Sequence, residues 1–476
     1  MHHSHERIEA GHQAAPAIPP ASTHTLWLAA AVSALGGLLF GYDWVVIGGA
    51  KPFYEAYFGL VEPSRQAWAM SCALIGCLAG AVASGVISER LGRRGGLLVA
   101  AAIFAGSAVG TAWAASVDAF VLWRIVGGVA IGLASGLSPM YIAEIAPASI
   151  RGRMVCLNQI AIVAGILGAQ IVNWLIAEPV AAGATGAQIA ASWNGTTGWR
   201  WMFAAAGVPA VAFIVGALLI PESPRWLAGR GDWDGAQRAL RRLGGVAYAE
   251  RALHAIRASL QASTGRGLRE VLAEPRFVRV LAIGVVLAVL QQWCGINVIF
   301  NYAQEIFASA GYAVSDTLFN IVITGVVNCV FTLVALGTVE RWGRRRLMLL
   351  GCAGLALIYL LLGGCYLAGW QGWPLLLLVV LAIACYAMTI APVTWVALSE
   401  IFPNEARGAC MAVATTALWA ACFLLTYTFP LINSAMGTGM TFWVYGAICA
   451  AGYVFIFRCL PETSGKSLEE IEKAWR

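Results

Sequence analysis

Twelve times along this chain, about 20 residues pass with hardly a charge, and each run is long enough to cross a bilayer as a helix. Six lie at 26–50, 67–88, 96–116, 119–142, 154–178 and 200–220; six more lie at 278–306, 317–338, 347–369, 373–398, 408–432 and 440–459. In lipid only helices and closed barrels satisfy every backbone polar group, and the strict alternation of a barrel strand is missing. The composition agrees, with 60% hydrophobic and 11% charged residues against about 25% charged in a soluble domain. The fold class is therefore an all-α membrane protein of twelve transmembrane helices.

The two sets of six are copies. Glu89-Arg90-Leu91-Gly92-Arg93-Arg94 returns 251 residues later as Glu340-Arg341-Trp342-Gly343-Arg344-Arg345. Glu144-Ile145-Ala146-Pro147, followed by Arg151-Gly152, returns after 256 residues as Glu400-Ile401-Phe402-Pro403, followed by Arg407-Gly408. Pro221-Glu222-Ser223 returns after 240 as Pro461-Glu462-Thr463. A duplicated helical bundle is a common plan for transporters that rock about a central site. The expected division is a tail at 1–25, a six-helix half at 26–220, a linker at 221–277, a second half at 278–460 and a tail at 461–476. Within the linker, Leu240, Leu243 and Tyr248, then Leu253, Ile256 and Leu260, recur at helical spacing among arginines and predict short amphipathic helices.

All but four of the 30 Lys and Arg fall in the termini and the even-numbered loops; Lys51, Arg65 and Arg200 lie in odd-numbered loops and Arg124 within a span. The positive-inside rule then puts both termini and the linker in the cytoplasm. The net charge of +6 belongs to that face and does not point to nucleic acid. The N-terminus, with His2, His3, His5, His12 and His24, reads as a disordered tail without a cleavable signal; metal binding there is the weaker reading. The twelve cysteines fall mostly within spans and form no CxxC pair, so neither a disulfide frame nor a metal site nor a cofactor is expected. Asn194-Gly195-Thr196 fits a glycosylation sequon in an outward loop. No P-loop, nucleophile elbow or paired catalytic carboxylates appear, which argues against an enzyme or an ATP-driven pump.

Ionisable residues deep in a span are costly and functional by default. Asp43 and Arg124 lie in the first and fourth spans, both on the order of 8–10 Å below the outer surface at 1.5 Å per residue. Opposite charges at matching depth neutralise one another. Such a pair either locks two helices together or works as a proton switch; the lack of an intramembrane His or a second deep carboxylate favours the switch. A second cluster is neutral: Gln159, Gln291, Gln292, Asn297 and Asn328, with Trp395 after the helix-loosening Pro392 and Trp419 in the eleventh span. Amides offer donors and acceptors to the hydroxyls of an uncharged polyol, and an indole face packs against a sugar ring. One such residue alone is more often interhelical glue; several on one cavity suggest a ligand. At the helix ends, Glu89, Arg93, Glu144 and Arg151, and their counterparts Glu340, Arg344, Glu400 and Arg407, form either solvated topology signals or cytoplasmic salt bridges that break when that side opens. Their recurrence in register favours the latch.

Taken in order, Gly41-Tyr42-Asp43, Glu89 to Arg94, Pro139-Met140-Tyr141-Ile142-Ala143-Glu144, Arg151-Gly152-Arg153, Pro221-Glu222-Ser223-Pro224-Arg225-Trp226-Leu227, Gln291-Gln292-Trp293-Cys294-Gly295-Ile296-Asn297 and Pro461-Glu462-Thr463-Ser464-Gly465-Lys466 make the chain resemble the sugar porter family of the major facilitator superfamily. The resemblance implies two pseudo-symmetric six-helix halves with alternating access to one central monosaccharide. It marks Gln159, Gln291, Gln292, Asn297, Asn328 and Trp395 as sugar contacts and puts Phe40 and Trp419 beside the sugar. In proton symporters of the family the residue matching Asp43 is the proton site and that matching Arg124 its partner. Some uncoupled facilitators carry Asn at the first position, others Asp. Three departures stand out: Asn301 replaces the first Tyr of an outer-gate pair whose second is Tyr302, Leu418 and Cys422 take positions that are polar in some relatives, and Ala391 replaces a Gly. The expectation is proton-coupled import of a pentose or hexose across the inner membrane, with the sugar, the proton and the bilayer as partners and a monomer sufficient. An uncoupled facilitator and a non-transporting sugar receptor are the alternatives.

Overall fold

Every element among the described residues is helical. The computed structural model describes residues 23–147, 150–181, 184–261, 268–402 and 407–464. The expected tail with His2, His3, His5 and His12, the chain beyond Ser464, and the side chains of Leu260 and Glu340 lie outside them.

The first half of the chain forms α1 (Thr23–Phe58), α2 (Pro63–Ala112), α3 (Val117–Ile145) and α4 (Arg151–Ile176). A short α5 (Gly186–Ala191) and a π turn at Asn194–Gly198 lead into α6 (Trp199–Ala204) and α7 (Gly207–Leu219). Four connecting helices follow: α8 (Pro224–Gly229), α9 (Trp233–Gly244), α10 (Val246–Gln261) and α11 (Leu268–Ala273). The second half forms α12 (Pro275–Trp293), α13 (Ile296–Asn301), α14 (Ala303–Ser309), α15 (Val314–Trp342), α16 (Arg344–Leu367), α17 (Trp373–Met388), α18 (Ile390–Ile401) and α19 (Arg407–Cys459).

Ten stretches of the described residues are apolar and long enough to span a membrane. Two of them, α2 and α19, run for 50 and 53 residues, about 75–80 Å at 1.5 Å per residue against a hydrocarbon thickness of about 30 Å. Each breaks at a glycine with non-helical backbone, Gly92 (φ 81°, ψ 176°) and Gly437 (φ 80°, ψ 164°). Read as two segments apiece, they bring the stretches to the twelve expected. Leu122, Leu175, Val211, Leu219, Leu357 and Phe457 stand exposed on the outside of the bundle. Such a surface is tolerated in lipid and unfavourable in water.

Inside each half α1 packs on α4 and α2 on α3, and α19 packs on α12 and α16; the halves meet where α2 touches α19 and α4 touches α15. Two spans of the second half are interrupted. Gly295, at φ 85°, separates α12 from α13. Thr389 (φ −121°, ψ −79°) separates α17 from α18. The second break has a direct cause: Pro392 has no N–H for the carbonyl of Met388 and crowds it, so α17 ends at that residue.

The arginine-rich end is built twice over by the repeated motifs. After Gly92, the free N–H groups of Arg93 and Arg94 donate to Glu222 Oε1 at 2.9 and 3.1 Å. After Gly343 (φ 83°), the N–H groups of Arg344 and Arg345 donate to Glu462 at 2.8 and 3.2 Å. A carboxylate on the first turn of a helix satisfies donors that the helix leaves unpaired. Against this end α9 buries Leu240 and Leu243, and α10 buries Tyr248. The Asn194 sequon is not a free acceptor: its amide is buried, accepting from the Glu178 N–H and donating to the Glu178 carbonyl, both at 2.8 Å.

Candidate functional site

Asp43 on α1 and Arg124 on α3 meet inside the first half. Arg124 Nη1 donates to Asp43 Oδ1 at 2.5 Å, with 7% of Asp43 and 3% of Arg124 exposed. The guanidinium lies 5.4 Å from the centroid of the Phe203 ring, and its Nε has no hydrogen-bond partner among the described residues. A buried pair of this kind is electrically neutral as long as both partners are charged. Protonating the carboxylate removes the attraction and leaves the guanidinium to find other acceptors.

The amides of the second half form one chain. Gln291 Nε2 donates to the Tyr386 hydroxyl at 2.8 Å, Gln292 Nε2 donates to Gln291 Oε1 at 2.5 Å, and Asn297 Nδ2 donates to Gln292 Oε1. The break at Gly295 makes this possible, because it brings Asn297 at the start of α13 back onto the last turn of α12. Cys422 of α19 lies 4.0 Å from Asn297 Nδ2, so one departure from the family pattern borders the amides directly.

Phe40 and Trp44, one turn apart on α1, meet Trp419 of α19 with ring centroids 5.6 and 6.2 Å away. This aromatic trio joins the two halves. The side chains of Gln159 and Asn328 have no hydrogen-bond partner among the described residues, although their helices α4 and α15 pack together. Trp395 on α18 is 36% exposed. A void of about 10 Å³ beside Phe40, lined by Leu39, Phe104, Ile131 and Phe213, is apolar and too small for a sugar.

The end of the bundle away from the arginines is shut. A Cβ on Gly48 of α1 would meet the carbonyl oxygens of Asn301 at 2.9 Å and Phe300 at 3.0 Å, so glycine lets the backbones of the two halves touch there. Asn301 is buried with an unpartnered Oδ1; Tyr302 is fully buried and donates to the Thr426 carbonyl at 2.7 Å. Beside them Lys51 of α1 contacts Glu55 Oε1 at 2.9 Å and, from the other half, Glu305 Oε1 on α14.

At the arginine-rich end, two of the repeated pairs form and each stays within its own half. Arg93 binds Glu144 through Nε at 2.9 Å and Nη2 at 2.8 Å, and Ser223 Oγ donates to the same carboxylate. Arg344 Nη2 binds Glu400 at 2.9 Å, and Thr463 Oγ1 donates to it at 2.6 Å. Arg151 and Arg407 reach main-chain carbonyls instead, of Ala146 at 3.5 Å and Phe402 at 3.3 Å. The Glu89 side chain is exposed, and its carbonyl accepts from Trp226 and Arg230.

Sequence reasoning did not single out Trp44, Tyr386, Glu222, Glu462 or the Lys51 cluster. The repeated Pro-Glu-Ser/Thr triplet carried the signal for the two glutamates, and the four-residue spacing of Phe40 and Trp44 carried that for the tryptophan. A lone tyrosine in an apolar span, such as Tyr386, carries none.

A family model described as sugar (and other) transporter matches residues 29–475. The D-xylose-proton symporter of Escherichia coli is 39% identical over 475 residues, covering 93% of this chain and 94% of its own. A glucose facilitated diffusion protein of Zymomonas mobilis is 34% identical over 468 residues, with 94% and 97% covered. The solved structure of the xylose transporter XylE from E. coli, in a partially occluded inward open conformation, matches with a TM-score of 0.82 at 36% identity, over 94% of this chain and 100% of that one. With the model matched along almost the whole length, the chain belongs to the sugar (and other) transporter family, whose members are membrane transporters and not enzymes.

Proposed function

We propose that the protein imports a monosaccharide, a pentose or hexose, together with a proton across the inner membrane, the arginine-rich end and both termini facing the cytoplasm and a single chain sufficing. The observation that carries this reading is the buried Asp43–Arg124 pair. Its carboxylate sits on α1, the helix that also presents Phe40 and Trp44 to Trp419 and closes the far end through Gly48. One helix thus links a protonatable group, the sugar-facing aromatics and the outer closure. In the cycle, Asp43 takes a proton from outside and loosens its hold on Arg124. Sugar settles between the Gln291–Gln292–Asn297 amides and the aromatic trio, with Gln159, Asn328 and Trp395 completing the contacts. The halves then close outside around Asn301 and Tyr302 and part inside. Arg93–Glu144 and Arg344–Glu400 hold each half rigid as it moves, with Glu89, Arg151, Glu340 and Arg407 on the surface that separates. The shut outer end, the exposed Trp395 and the likeness to an inward open transporter favour an inward-facing state here.

The second reading is uncoupled facilitated diffusion, favoured by the glucose facilitated diffusion relative; Asp43–Arg124 would then be a fixed tie between α1 and α3. Proteoliposomes with a pH-sensitive dye separate the two. Sugar-evoked proton uptake, tested with xylose, glucose, galactose, arabinose, fructose and inositol, is expected with one or two sugars. Asp43→Asn should keep sugar exchange and lose uphill accumulation. Accumulation by that variant at the unmodified level would overturn the coupling role.

A further inference from the structure

The cation at the shut end is unusual in its company. Lys51 leaves only 5% of its side chain exposed, and two carboxylates share its ammonium group. Glu55, one turn along the same helix, holds Nζ at 2.9 Å, and its other oxygen accepts from Gln66 at 3.3 Å. Glu305 comes from α14 in the opposite half and keeps 30% of its side chain exposed. The Tyr302 ring faces the ammonium at 5.7 Å from its centroid.

We propose that Lys51, Glu55 and Glu305 are an ionic latch on the outer gate, in which Lys51 keeps its partner on its own helix while the partner across the halves engages and releases. A buried lysine stripped of its counter-ion is strongly unfavourable, so a simple cross-half pair would resist opening by stranding its cation. Glu55 removes that obstacle. When the halves part, Glu305 moves with α14 towards water, where its carboxylate is hydrated, and Lys51 keeps a neutral i,i+4 pair with Glu55. When they close, Glu305 adds the second contact that fastens α14 against α1. Closure is thereby favoured without making the reverse step prohibitive. The gating role rests on the alternating-access reading; the contacts themselves do not.

The test compares backbone hydrogen exchange of α13–α14, measured by mass spectrometry on the full chain in lipid nanodiscs, since local opening sets the exchange rate. Glu305→Gln and Lys51→Met should both speed exchange at Ile296–Ser309 by about fivefold or more, the scale of a modest coupling between two states. Lys51→Met also leaves two carboxylates facing one another. Glu55→Gln should act the other way and slow exchange, because Lys51 then has Glu305 as its sole partner. Exchange in Glu305→Gln at the unmodified rate would overturn the latch, as would Glu55→Gln exchanging as fast as Lys51→Met. If Lys51→Met fails to fold, Glu305→Gln still decides, because its part-exposed side chain tolerates the change. Failure of the transport reading would show separately, as no sugar uptake by the unmodified chain.

Discussion

At the scale of single residues, the Asp43–Arg124 pair and the amide chain answer to different physics. Two charges removed from water are tolerable only together, so Arg124→Leu strands a buried carboxylate and should cost about 3–5 kcal/mol of stability. Adding Asp43→Asn should recover much of the loss, because the stranded charge is gone. Thermal melting of the purified variants checks the order, with the double variant melting above Arg124→Leu alone. The amides Gln291, Gln292 and Asn297 are neutral and exchange partners at little cost, as the proposed alternation of sugar and water there would require. Asp43 and Arg124 were legible in the sequence because charge at depth is rare in a span. Tyr386 and Trp44 were not, because aromatics are ordinary there and only the fold reveals what they face.

At the scale of elements, the informative joints are the glycines at the arginine-rich end. Gly343 adopts φ 83°, and a Cβ on it would come within 2.6 Å of Glu462 Oε2. With ψ at 151°, Gly343 lies in a positive-φ region that is essentially reserved for glycine, so Gly343→Ala should destabilise by about 1–3 kcal/mol from the backbone alone, and further by displacing the Glu462 cap. Glu462→Gln should cost less, since it keeps an acceptor and gives up only the charge assistance. Melting temperatures of the two variants in one detergent would show that ranking. The spans themselves were legible, because apolar runs at hydrocarbon length have few other uses, and Pro392 announced the break in the tenth. The fates of Glu89 and Arg151 were not. A charge at a helix end reads the same whether it meets a carboxylate, a carbonyl or water, and only the approach of neighbouring helices decides.

At the scale of the whole molecule, the repeated Glu-Ser/Thr motif has a consequence for how the protein can be assembled. Glu222 and Ser223 close the first half onto Arg93, Arg94 and Glu144, and Glu462 and Thr463 do the same for the second half around Arg344, Arg345 and Glu400. Each half thus ends on its own clasp, and within the linker α8 and α9 pack against the first half with α10 on them. Among the described residues, neither clasp draws a partner from α10 or α11. A gene interrupted between Gln261 and Leu268, producing two polypeptides in one membrane, should yield a pair that co-purifies through a tag on either piece and takes up sugar. Covalent continuity would then serve the economy of synthesis and the equal dosage of two parts, while recognition between the pieces rests on the α2–α19 and α4–α15 seams and on the contacts of α1 with α13, α14 and Trp419.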